Sequence, residues 1–131
     1  MPTDREWRAC PMLGVRDVRA ATDYMVKRLG FELGSLFEGV AADGGAIYSI
    51  LRRDGMEVHL QIRRRPLWSA PREGIETDIY VRVPDADAVH ADLVARGAVL
   101  VRPLQDEPYG MRDFTVEGPE GHRIAFGSDL G

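Results

Sequence analysis

The chain has a single cysteine, Cys10, among 131 residues. No intrachain disulfide can form, which fits a reducing compartment. No apolar run approaches the roughly 20 residues of a membrane span, so no membrane partner is expected. The opening Met-Pro-Thr-Asp-Arg-Glu-Trp-Arg lacks the apolar core of a signal peptide, and a soluble, cytoplasmic protein is expected. There is no basic excess: the net charge is −4, which argues against nucleic acid as a partner. No glycine-rich phosphate loop occurs, since Gly44-Gly45 reads as a hairpin tip. No serine stands in a nucleophile elbow. Arg63-Arg64-Arg65 is a short charge run and reads as the solvated exit from a strand.

What is present suits one globular domain over residues 1–131. The apolar share of 44% and charged share of 29% are near the globular average, so a packed core is affordable. Trp7 to Val15 reads as a strand, and Asp17 as the N-cap of a helix. Val18, Ala21, Met25 and Leu29 then recur at spacings of three and four, one buried stripe. Gly30 supplies the stop. Strands follow over Phe31 to Phe37, Ala46 to Arg52 and Met56 to Ile62. The last two are joined by an Asp54-Gly55 hairpin, and the last alternates cleanly.

Arg63 to Gly74 has no periodicity and reads as a linker. After it the pattern restarts. Thr77 to Val83 alternates, and Asp85 or Asp87 caps a helix with the stripe Ala86, Val89, Leu93. Gly97 ends that helix. Strands are expected over Val99 to Arg102, Arg112 to Glu117 and His122 to Gly127, with a loop from Pro103 to Gly110. The fold class expected is α+β: two tandem βαβββ modules, at 6–63 and 76–129, separated by a linker at 64–75. One helix per sheet leaves the other sheet face to form a cavity or find cover.

Pro11-Met12-Leu13-Gly14-Val15-Arg16-Asp17-Val18 with Leu29-Gly30-Phe31 resembles the opening of vicinal-oxygen-chelate proteins. The tail, Glu107-Pro108-Tyr109-Gly110-Met111-Arg112-Asp113-Phe114 with Gly118-Pro119-Glu120-Gly121-His122-Arg123-Ile124, resembles the branch typified by bleomycin-resistance proteins. The resemblance covers nearly the whole chain. It implies mixed sheets curled into a cup, and a homodimer that completes the cup. It also implies one of two activities: a metal-dependent lyase, isomerase or dioxygenase, or metal-free sequestration of a small molecule.

The cup residues bear on that choice. The family's three metal positions fall on Cys10, Asp78 and Ala125, and alanine offers no lone pair. No cofactor is therefore expected; Cys10, Asp78, Glu57 and His59 remain the candidates for a metal enzyme. The expected inward positions are Tyr48, Ile50, Glu57, His59, Gln61, Asp78, Tyr80, Arg82, Arg112, Phe114 and Ala125. His59 suits a ligand hydrogen bond. By resemblance, Tyr109 takes the slot of an aromatic that stacks on a flat ligand. Ligand contacts are expected from Tyr109, His59, Gln61, Tyr80, Arg82, Tyr48, Phe114 and Arg112; Phe37 and Trp68 stand where they could close the cup from flanking segments, but packing is their expected role. The combination suits a flat, amphiphilic organic molecule, such as an antibiotic.

Overall fold

Both helices begin where a short carboxylate can cap them. In this computed structural model, which describes residues 7–39, 45–65, 72–73 and 76–131, Asp17 accepts from the Ala20 amide (3.0 Å) and α1 runs Val18–Leu29. Asp85 accepts from the Ala88 amide (3.2 Å) and α2 runs Ala86–Ala95. The first helix stops at Gly30, with φ of 73°, and Gly97 follows the second at 80°. Both take the left-handed turn that glycine adopts without a Cβ penalty.

The strands are β1 Met12–Val15, β2 Glu32–Glu38, β3 Ala46–Arg53, β4 Met56–Ile62, β5 Ile79–Arg82, β6 Leu100–Asp106, β7 Met111–Glu117 and β8 Arg123–Asp129. They form two open sheets of four strands, ordered β1-β4-β3-β2 and β5-β8-β7-β6. In each, the first strand lies parallel to the last and the other pairs are antiparallel. The α+β class and the duplicated βαβββ unit are therefore as the sequence implied.

Most strand ends shift by one or two residues, and three strands differ in ways that matter. The first strand is shorter than Trp7 to Val15, although Pro11 already offers its carbonyl to the His59 amide at 2.9 Å. The fifth is trimmed to Ile79–Arg82. The sixth runs on through Pro103, where a loop was expected. It is an edge strand, so a missing amide costs no interior ladder bond, and the register shift between Arg102 and Gln105 absorbs the irregularity. Most of the expected linker, Trp68 and the Gly44 tip lie outside the described residues.

The core forms where each sheet meets its helix. Val18, Ala21, Met25 and Leu29 of α1 pack with Leu51, Val58 and Leu60; Leu93 of α2 packs with Phe114, Val116, Ile124 and Phe126. The two groups belong to one continuous cluster. Buried Thr22 and Ser49 satisfy each other at 2.8 Å, and Thr22 also donates to the Val18 carbonyl.

Polar contacts tie the modules together. Tyr24 donates to the Glu117 carbonyl (2.8 Å), and His122 Nε2 donates to the Gly14 carbonyl (2.9 Å). Arg53 reaches both the Leu29 carbonyl (2.6 Å) and Asp92 of the second module (2.9 Å). Glu120, in the 3-10 turn Pro119–Gly121, accepts from the Arg16 and Asp17 amides at 2.7 to 3.0 Å. A carboxylate there meets free amides and the positive end of α1. Replacing Glu120 by Ala should lower unfolding free energy by about 1–2 kcal/mol, read as an earlier urea midpoint with unchanged slope. An unchanged midpoint would show that this inter-module anchor adds nothing.

Candidate functional site

Strand pairing fixes what each open face carries. In the first module Met12 pairs with His59 and Gly14 with Gln61. Tyr48 pairs with Gln61, Ile50 with His59, Arg52 with Glu57, and Phe37 with Tyr48. Their neighbours in sequence, Leu13, Leu51, Val58 and Leu60, are buried beneath α1. Alternation therefore puts Tyr48, Glu57, His59 and Gln61 on the uncovered face, as the sequence implied, and adds Phe37 to it.

A connected chain of side chains crosses that face. Phe37 meets the Tyr48 ring edge-on (6.2 Å), and Tyr48 meets His59 the same way (5.3 Å). The Tyr48 hydroxyl lies 2.5 Å from His59 Nδ1, and His59 Nε2 lies 2.7 Å from Glu57. Glu57 also accepts from Arg52 at 2.9 Å. The hydrogen bond from His59, helped by Arg52, holds the Glu57 carboxyl below the usual carboxylate range against a smaller burial effect. Cys10 lies 3.8 Å from the same carboxylate, and burial with that negative charge pushes its thiol up. A raised thiol is a poor nucleophile. Cys10, Arg52, Met56 and Glu57 also line a cavity of about 700 Å³.

The second module repeats the layout with different chemistry. Tyr80 pairs with Ala125 and Arg82 with Gly127, while Thr115 and Asp113 pair with the same two residues from the other side. The open face thus carries Tyr80, Arg82, Asp113, Thr115 and Ala125. Tyr80 donates to Asp113 Oδ2 at 2.8 Å, and Tyr109 reaches the same oxygen from its loop. Burial and the Asp113 charge push the Tyr109 phenol up to about 12 and raise Tyr80 too, so both stay protonated donors at neutral pH. Arg82 pairs with Asp129 at 2.6 Å.

Two expected ligand contacts are corrected. Phe114 is fully buried on the helix side, its ring 5.0 Å from His90 of α2 and 5.5 Å from Phe126. Arg112 lies on that side too, bonded to Asp87 and Asp106 at 2.9 Å each. The expectation placed them with Ala125, but Ala125 pairs with Thr115, one residue away, and a one-residue offset reverses the face. Carrying the Ala125 register into β7 would have found Asp113 and Thr115 instead. Gly127 was also missed: a Cβ there would overlap the Tyr80 phenol oxygen and come within 3.0 Å of Asp113 Cβ.

The family's metal positions do not come together. Ala125 has no donor, and Asp78 is engaged elsewhere. It accepts from Arg72 (2.6 and 3.0 Å) and the Arg123 amide (2.8 Å). Among the described residues, the His, Cys, Asp and Glu group close enough to share an ion is Cys10, Glu57 and His59, with donor atoms within 4.8 Å of one another. The Glu57 oxygens there are already bonded to Arg52 and His59.

A family model for the glyoxalase/bleomycin resistance protein/dioxygenase superfamily matches residues 9–126. The chain belongs to that superfamily. Among curated relatives it is 29% identical over 126 residues to the uncharacterized protein Rv0887c of Mycobacterium tuberculosis, covering 92% of this chain and 73% of that one. Among solved structures, TioX from Micromonospora sp. ML1 is 28% identical with a TM-score of 0.71, over 95% of this chain and all of that one. The bleomycin-binding protein of Streptomyces verticillus, solved with copper(II)-bleomycin, is 23% identical with a TM-score of 0.70, over 95% and 97%. TnmS3, an antibiotic binding protein from Streptomyces sp. CB03234, is 22% identical with a TM-score of 0.67, over 98% and 99%. The last two likenesses establish the fold.

Asp78 gives this site a measurable pH signature. Burial raises its carboxyl, but the Arg72 hydrogen bonds and the Arg123 amide more than offset that and hold it below its ordinary value. A carboxyl depressed in the folded state adds stability that is complete above its unfolded pKa of about 4 and is lost as pH falls through the folded value. Asp78→Asn should therefore lower the melting temperature at pH 7 and narrow the difference from wild type at pH 3. A gap that stays constant with pH would contradict this role.

Proposed function

We propose that the chain is a metal-free small-molecule binding protein that holds a flat, amphiphilic organic ligand against its open sheet faces. The observation that carries this reading is Tyr109. The residue is 55% exposed while its hydroxyl is anchored to Asp113, so a loop aromatic is held in place rather than left free. A fixed aromatic face offers stacking area at little entropic cost. Tyr80 and Phe37 extend that surface at 43% and 48% exposure. Tyr48, His59, Gln61 and Arg82 supply polar contacts. The bleomycin- and antibiotic-binding proteins that share the fold support an antibiotic as the ligand.

The exposed aromatics of both faces, together with Met12, leave apolar surface that a homodimer covers, and the cup then lies at the subunit interface. The setting that goes with this reading is cytoplasmic, without nucleic-acid or membrane partners. No helix among the described residues is long and apolar enough to cross a membrane.

A second reading, a metal-dependent lyase, isomerase or dioxygenase, is favoured by the donor cluster of Cys10, Glu57 and His59. Against it stand the Arg52 charge on Glu57 and the missing donor at Ala125. Elemental analysis of protein purified without chelator decides between them. The binding reading expects less than a tenth of an equivalent of zinc, iron, nickel or manganese, on the order of adventitious contamination. A full equivalent, lost in Cys10→Ala, would establish the metal reading. For ligand binding, Tyr109→Ala should weaken a planar antibiotic selected by thermal shift about tenfold while the dimer persists on gel filtration. Unchanged affinity would remove Tyr109 from the site.

A further inference from the structure

We propose that the Tyr80–Asp113–Tyr109 cluster is a subsite for a cationic group, so that the preferred ligand is a flat molecule bearing a protonated amine. The inference rests on the small-molecule reading of this face and names the ligand's chemistry.

Asp113 is 4% exposed, yet no cation lies within ion-pair distance of it among the described residues. The arginines on the same sheet surface are directed elsewhere, and Arg123 donates to the Glu73 carbonyl at 3.3 Å rather than to Asp113. Arg82 is held by Asp129 at 2.6 Å, and Arg102 by Glu107 at 3.4 Å. Arg112, next in sequence, points to the opposite face and is shared by Asp87 and Asp106. A buried carboxylate without a counter-ion is costly, and two neutral phenol donors offset only part of that.

The geometry also leaves one oxygen for a ligand. Both phenols donate to Oδ2. Among the described residues Oδ1 has no hydrogen-bond partner, and it is not among the polar atoms sealed from solvent. An ammonium N–H could reach it from the open side. The flanking rings are both exposed, and each phenol donates its proton toward the carboxylate, which makes the ring face more electron-rich. A carboxylate with a free oxygen beneath two exposed aromatic rings is the arrangement that receives an organic cation. Gly127 maintains it, because any side chain there would collide with Tyr80.

The test compares benzylammonium with benzyl alcohol, a neutral molecule of nearly the same shape, by NMR titration of the full-length protein at pH 7. The cation should bind about tenfold more tightly than the alcohol and shift resonances of Tyr80, Tyr109 and Gly127. Asp113→Asn should erase that preference. Should Asp113→Asn fail to fold, Tyr109→Leu, in an exposed loop, should reduce benzylammonium affinity severalfold. Equal binding of the two probes at this face would overturn the cation subsite while leaving small-molecule binding intact. If neither probe shifts these residues, both the subsite and the binding role of this face fall. A cation preference that survives in Asp113→Asn would overturn the assignment of Asp113.

Discussion

A four-stranded sheet with one helix has a dry face and an open one. Both sheets of this molecule obey that constraint. The apolar residues of β3, β4, β7 and β8 lie beneath the helices. With a side-chain period of two, every alternate residue then goes to the uncovered side. The aromatics and charges found there, from Phe37 and His59 to Tyr80 and Asp113, are where they are because Leu51, Leu60, Phe114 and Phe126 are buried. The contacts from Glu120, His122 and Arg53 then fix one module against the other.

The duplication was legible because its punctuation is local. Aspartate caps, glycine stops and a stripe at helical spacing can be read without knowing any tertiary contact. The open face of the first module was equally legible, since Met56 to Ile62 alternates without interruption. The second module was harder. In β7 the residues Asp113 to Val116 are all buried, so the strand shows no contrast between faces, and only its pairing with β8 separates them. Phe114 looked like a ligand aromatic because an isolated strand cannot say which of two buried neighbours lies under a helix. Pro103 misled in the other direction: it breaks central strands, but here it lies on an edge.

The two open faces differ in electrostatic completeness. On the first, Arg52, Glu57, His59 and Tyr48 satisfy one another in a chain, which suits oriented polar contacts. On the second, among the described residues, a buried carboxylate is met by phenols alone. The superfamily fold supports both metal chemistry and simple binding, so the fold does not choose between them. The choice rests on Ala125, on Asp78 being bound by Arg72, and on Tyr109 being pinned while exposed.

The central claim is that the open faces, not the helix sides, receive the ligand. Hydroxyl-radical footprinting with mass spectrometry reads this residue by residue, with and without a saturating planar antibiotic. The account predicts that ligand lowers oxidation of Tyr80, Tyr109 and Phe37, while Phe114 stays unreactive in both states. Unchanged oxidation of those three residues in ligand-saturated protein would contradict it.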